Sequence, residues 1–155
     1  MIREATLSDF AAVSALEDQI FTLHLNARPD MVEPRKVPLD YGYFEEYVNG
    51  MDTRIFVYDE DGDILGHCFV RHWAYKDNLV YYDMTILEID DICVDADARG
   101  KSIGQALFSH AKAYAMEIGA DHLELTVWKF NTKARAFFDH MGMQERICRM
   151  EMLLK

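Results

Sequence analysis

Cysteine is scarce: Cys68, Cys93 and Cys148 are far apart, odd in number and never in a C-x-x-C pair. That excludes a disulfide framework and a cysteine-based zinc site, so the thiols are expected to be reduced and mostly buried. Proline is confined to Pro29, Pro34 and Pro38, within ten positions. Arg28 to Leu39 therefore reads as one extended loop between helices. No apolar run approaches the ~18 residues that a membrane helix needs. Met1-Ile2-Arg3-Glu4 lacks the basic-then-apolar pattern of a secretory leader, so a cytoplasmic address is expected. Positive charge is also short: 16 Lys and Arg stand against 27 Asp and Glu, a net charge of -11. Nucleic acid and anionic membranes demand a basic face and are excluded as general partners. The imbalance fits a cationic substrate, but plain solubility is the commoner reason for it. Repeats, low-complexity tracts and linkers are absent, so the 155 residues form one domain, 1–155.

What is present alternates in style along the chain. Ile2 to Thr6 reads as a short strand, with Thr6 and Ser8 as helix caps before Val13, Leu16, Ile20 and Phe21 at helical spacing. Leu39 to Val48 predicts a second helix. Arg54 to Tyr58 and Ile64 to Tyr75 predict strands joined at the hairpin dipeptide Asp61-Gly62, and Val80 to Val94 predicts a long third strand. The stripe Ile103, Leu107, His110, Ala111, Tyr114 and Ile118 predicts a helix that Gly119 stops. His122 to Trp128 then reads as a strand. Asn131 caps a helix carrying Phe137 and Phe138, and Gln144 to Leu154 predicts one or two closing strands. The strand–helix–strand unit from 85 to 127 implies a locally parallel pair within a mixed sheet, with helices on its faces. The fold class is α+β.

The segment from Ile92 to Leu107 carries the chemistry. A strand ends, Arg99-Gly100-Lys101 turns, and a helix starts near Ser102. Exposed N–H groups and the helix dipole make such a junction an anion site. Gly100 and Gly104 lack Cβ and allow close approach of a phosphate. Gly100-Lys101-Ser102 imitates the end of a P-loop, but Asp95 stands where that motif needs its first glycine. The dinucleotide fingerprint G-x-G-x-x-G is absent as well.

These residues resemble the GCN5-related N-acetyltransferases, the GNAT family. Its acyl-coenzyme A signature, Arg/Gln-x-x-Gly-x-Gly/Ala, is met by Arg99-Gly-Lys-Ser-Ile-Gly104, with Ser102 where glycine is usual. Its second element is met by Asn131-Thr-Lys-Ala134, Phe137-Phe138 and Gly142-Met143. The resemblance implies a central mixed, largely antiparallel sheet of six to seven strands, flanked by helices. It implies acetyl-CoA as co-substrate and an amine acceptor as partner, and homodimers are common in the family. Ile92, Cys93 and Val94 would lie along the pantetheine, and Arg99, Gly100, Lys101, Ser102, Ile103 and Gly104 would hold the pyrophosphate. Asn131, Ala134, Phe137 and Phe138 would complete the cofactor site. The implied reaction is direct attack of a small molecule's primary amine on the acetyl carbonyl in a ternary complex. The alternatives are transfer to a protein or peptide amine, and acyl-CoA sensing without turnover.

A free alkyl ammonium has pKa ~10.4, so some group must accept its proton. Glu88, Asp90 and Asp91 lie just before the loop, and neighbouring carboxylates raise one another's pKa. Glu88 matches the glutamate base of some histone-type members, with Asp90 or Asp91 as helper or anchor for a cation. By strand parity Glu88 and Asp90 share a face with Ile92 and Val94, unless a bulge intervenes. Phe138 stands where many members have a tyrosine that protonates the thiolate, so another donor must serve. His67 and His72 face opposite sides of a strand, and no metal-ligand triple is spaced for a metal site. Tyr41, Tyr43, Phe44 and Tyr47 fit either an acceptor wall or a helix packed on the sheet.

Overall fold

A computed structural model describes residues 1–34, 37 and 39–155. Arg35, Lys36 and Pro38, part of the expected proline-rich loop, lie outside the described residues. The sheet comprises β1 (Ile2–Glu4), β2 (Thr53–Glu60), β3 (Asp63–Tyr75), β4 (Met84–Val94) and β5 (His122–Leu125), in that spatial order. The first three pairings are antiparallel, and β4 with β5 is parallel. The helices are α1 (Phe10–Ala27), α2 (Tyr41–Asn49), α3 (Ile103–Glu117) and α4 (Thr132–His140). None among the described residues is long and apolar enough to cross a membrane.

Two cores lie on opposite faces of the sheet. On one, Val13 of α1 and Phe44 and Tyr47 of α2 pack against Ile55, Val57 and Phe69. On the other, Ile103, Leu107, Phe108 and Ala111 of α3 and Phe138 of α4 pack against Phe56, Cys68, Val70, Leu87 and Ile89. The sheet is thus the middle of three layers. Its hairpin turn uses Asp61 and Gly62, both at positive φ (54° and 98°), as a two-residue connection between twisted strands requires. At the chain start, Arg3 donates to both carboxylate oxygens of Asp9 (2.8 and 2.9 Å), and Asp9 accepts the Thr6 N–H at 2.7 Å. The Arg3 guanidinium holds the Asp9 carboxyl down to about 2.

Three expectations are corrected. β4 begins at Met84, not Val80, because Asn78 Oδ1 accepts the N–H groups of Val80 and Tyr81 (2.9 and 3.0 Å). Such local bonds compete with a strand ladder. β5 ends at Leu125 rather than Trp128. Residues 144–155 form no strand, so the sheet has five strands instead of six or seven. The tail keeps an apolar alternation at Cys148, Met150, Met152 and Leu154, the pattern that predicts a strand, yet it joins no ladder. It is tethered instead by ion pairs of Glu145 with Arg135, Arg146 with Glu124 and Glu151 with Arg28. Ile147, Met150, Met152, Leu153 and Leu154 stay 77–89% exposed.

Gly66 sets the spacing between sheet and α3. A Cβ there would stand 2.8 Å from the Cys93 carbonyl oxygen and 3.0 Å from Leu107 Cδ1. One contact is backbone, so neither strand nor helix can yield cheaply. Gly66→Ala is expected to destabilise the fold by about 1–3 kcal/mol, read as a lower urea midpoint at unchanged slope.

Candidate active site

The site is built on an irregularity of β4. Phe69 of β3 faces Asp91 and Val70 faces Ile89, so Asp90 is an extra residue bulged from the strand. The bulge resets parity. Glu88, Asp91 and Cys93 face α1 and α2, Asp90 also reaches that side, and Leu87, Ile89, Ile92 and Val94 face α3 and α4. The acids therefore do not share a face with Ile92 and Val94. The simple alternation fails at the one place where a bulge was allowed for.

Pairing of β4 with β5 stops at Ile89 opposite Leu125, beside the bulge. From residue 90 onward the chain after β5 diverges, and the far edge of β4 has no strand beside it among the described residues. His24 of α1 packs edge-on against Trp128 and Phe130 in the departing segment, and Arg28 lies 5.6 Å over the Trp128 ring. A wedge-shaped cleft is left, with the backbone of Ile92, Cys93 and Val94 along one side.

At the end of this cleft α3 begins. The first four N–H groups of any helix lack intrahelical partners. Gly100 (φ 83°) and Ser102 (φ 62°) are both left-handed, which folds Arg99 to Gly104 into a tight turn at the helix start. Arg99 and Lys101 are exposed on it. Gln19 of α1 steadies the preceding turn: its Oε1 accepts the Ala96 N–H at 3.0 Å and its Nε2 donates to Asp95 at 3.3 Å. Open N–H groups, two exposed cations and an unpaired strand edge fit the pyrophosphate and the amide-bearing arm of acyl-CoA. Asn131 caps α4 by accepting the Ala134 N–H at 3.2 Å. A Cβ on Gly104 would touch Phe137 at 3.6 Å, so Phe137 flanks the turn, whereas Phe138 is buried against Phe108.

Across the bulge, on the α1/α2 face, lies a cavity of about 290 Å³ walled by Glu17, Ile20, His24, Leu39, Tyr43, Phe69, Asp90 and Asp91. Of the three acids singled out in β4, Asp90 and Asp91 stand in its wall. Glu88 stands outside it, where it pairs with Arg71 (3.2 Å) and accepts the Trp73 indole N–H at 3.3 Å. Asp90 accepts from the Tyr47 hydroxyl and pairs with Arg71 at 3.2 Å. Burial raises the Asp90 carboxyl nonetheless, and burial beside Asp90 raises the Tyr47 phenol. The aromatic cluster divides: Phe44 and Tyr47 belong to the core, and Tyr43 faces the cavity.

Sequence reasoning missed Glu17 and His67. His67, fully buried on β3, places Nε2 3.0 Å from Glu17 Oε1 and 3.6 Å from Asp91 Oδ2. One carboxylate oxygen of Glu17, one of Asp91 and a ring nitrogen of His67 all lie within 4.8 Å of one another. Burial opposes the charge on His67, but its two acidic partners outweigh it and raise the imidazole to about 9. Burial raises Glu17; it would also raise Asp91, yet the contacts with His67 and Glu17 hold that carboxyl low. Cys93, with Sγ 3.6 Å from the Leu16 carbonyl oxygen, has its thiol pushed up to about 12 by burial, so it offers no thiolate nucleophile.

The sequence pattern of the acetyltransferase (GNAT) family matches residues 17–143. Streptothricin acetyltransferase of Streptomyces lavendulae is 38% identical over 92 residues, 59% of this chain and 44% of that enzyme. The chain thus spans less than half the length of that relative. The uncharacterized N-acetyltransferase YhfO of Bacillus subtilis is 28% identical over 93% of this chain and 89% of its own. A crystal structure of a tetramutant of the BH1408 protein from Bacillus halodurans superposes with a TM-score of 0.97 at 28% identity, covering 99% of each chain.

Ser102 is the residue in the turn with a Cβ in the left-handed region. Ser102→Gly is expected to stabilise the protein by about 0.5–1 kcal/mol. Acetyl-CoA affinity should be equal or tighter, as checked by thermal melts and calorimetric titration.

Proposed function

Since the chain belongs to the GNAT acetyltransferase family, whose members draw the acetyl group from acetyl-CoA, we propose that this enzyme delivers it to the primary amine of a small cationic molecule. The cavity supports this reading. Three carboxyl groups (Glu17, Asp90 and Asp91) line about 290 Å³ together with Tyr43, Phe69 and His24. Carboxylates select an ammonium group, and aromatic faces favour a cation further. A volume near the lower end of ligand pockets suits a small amine rather than a polypeptide. The streptothricin acetyltransferase relationship points the same way.

Acetyl-CoA supplies an activated acyl carbon, and the residues of this chain do the rest. The cavity and the cleft meet at the bulge, so an amine held by Asp90 and Asp91 faces the unpaired backbone edge of residues 92–94. Asp95 N–H donates to Leu65 of β3 and the Cys93 carbonyl faces Gly66, so by alternation the Val94 N–H is the donor on the open edge that would stabilise a developing oxyanion. Phe138 lies in the core and supplies no proton. A thiol has pKa ~8.5, so coenzyme A departs with only modest assistance. Glu88, paired with Arg71, tunes Asp90 from behind. The exposed apolar tail from Ile147 to Leu154 supports homodimer formation.

A panel of acceptors tests the reading. Aliphatic di- and polyamines should be acetylated with the highest kcat/KM, ahead of neutral monoamines and of peptide α-amines or lysines. Asp90→Asn should raise KM for the amine by about 10-fold or more, with acetyl-CoA affinity unchanged. Preference for a peptide would favour a protein acetyltransferase. Cofactor binding without transfer to any amine would favour a sensor.

A further inference from the structure

The cluster of Glu17, His67 and Asp91 lies outside both family motifs. Its location gives it chemistry. The Leu16 carbonyl oxygen touches Cys93 Sγ at 3.6 Å, so the turn of α1 that bears Glu17 sits directly on the strand segment beside the cofactor cleft. Glu17 opens into the cavity, whereas His67 is sealed beneath it. Glu17 also occupies an unusual place on its helix. Val13 and Leu16, with half-buried Ile20, form the inward stripe of α1, and half-buried Glu17 lies on it. Such a carboxyl is expensive to keep unless something below it compensates.

We propose that Glu17 is the catalytic proton acceptor for the substrate ammonium, and that His67, paired with Asp91, is the residue that positions it. This inference rests on the amine-acceptor reading above. The step balances as follows. The ammonium N–H bond breaks, its proton passes to the Glu17 carboxylate, and the freed nitrogen lone pair forms the new C–N bond to the acetyl carbon. The C–S bond of the thioester breaks with its electron pair on sulfur. Of the two protons that the nitrogen loses, one ends on the coenzyme A sulfur. The other leaves Glu17 for solvent through the cavity.

The charge arrangement singles out Glu17. His67 as a cation and Asp91 as an anion balance each other, which leaves Glu17 as the group that exchanges a proton. The other titratable groups facing it are His24 on its own helix, Tyr43 on α2, and Asp90 and Cys93 on β4. Arg71 and Glu88 lie one layer further along the sheet and are paired. Glu17 and Asp91 stand close enough to titrate as a unit, so an activity profile reports values for the pair.

Two kinds of measurement test this. With an amine that the wild-type enzyme acetylates, Glu17→Gln should lower kcat/KM by about 100-fold or more and remove the acidic limb of the pH profile. Glu17→Asp should restore part of the activity and the limb. His67→Gln removes a cation that favours ionised Glu17, so it should move the limb to higher pH. A merely structural His67 would lower activity without moving the limb. The second readout needs no acceptor and no acetyl-CoA. A carboxyl whose pKa is raised on folding makes stability fall as pH rises from its unfolded value through its folded one. The melting temperature of Glu17→Gln relative to wild type should therefore increase from pH 5 to pH 8. Carbon-13 NMR of labelled glutamate should show one carboxyl titrating in step with the activity limb, which keeps the test available if a variant does not fold. An unchanged limb in Glu17→Gln, or a Glu17 carboxyl titrating like an exposed glutamate, would overturn the proposal. So would a divalent metal that co-purifies with the wild type and is lost from His67→Gln. If no amine is acetylated by the wild type, the acceptor reading fails, while NMR and melting still report on Glu17.

Discussion

The added residue at Asp90 is the constraint on which the site depends. A regular β4 would continue pairing beyond Ile89 and would send Asp90 and Asp91 to opposite faces. The bulge lets β4 part from the chain after β5 and brings Asp90 and Asp91 to the α1/α2 side. One local irregularity thus frees the β4 edge proposed to hold the cofactor and places Asp90 and Asp91 beside it. The surrounding packing holds it in place: Gly66 admits the Cys93 carbonyl and α3 on one side, and Leu16 covers Cys93 on the other.

Charge is distributed to match. The net charge of -11 spreads over the surface, but the acids of the cavity differ from the rest because burial makes their ionisation costly. On the proposed reading a cation entering the cavity relieves that cost, which links affinity for an ammonium to the same burial that raises Glu17 and Asp90. At the other end of the proposed cleft the sign reverses: Arg99, Lys101 and the N-terminus of α3 gather positive potential, as the proposed phosphate site requires. The two ends suit two substrates of opposite charge.

The helices, the hairpin at Asp61-Gly62 and the turn before α3 were legible because each rests on local chemistry: apolar periodicity, a glycine at positive φ, and an Asn cap at Asn131. The bulge was not legible, since nothing in Glu88-Ile-Asp-Asp-Ile92 distinguishes an extra residue from a regular alternation; only the pairing with Phe69 and Val70 does. Glu17 left a trace that was overlooked, an acid at helical spacing from Val13, Leu16 and Ile20. His67 left little, because its partners are 50 and 24 residues away in sequence. The tail read as strand by propensity. In the fold β5 is only four residues long, and the tail joins no ladder.

On the proposed mechanism the cofactor cleft and the acidic cavity meet at the bulge. A crystal structure with a bisubstrate analogue, coenzyme A sulfur joined through an acetyl bridge to a primary diamine, tests this most directly. The diamine arm should pass the β4 edge at residues 92–94 and enter the cavity, with its bridging nitrogen in hydrogen-bond reach of Glu17 and its distal ammonium against Asp90 or Asp91. An arm that leaves the cleft along the exposed tail, with the cavity closed off from it, would contradict the account.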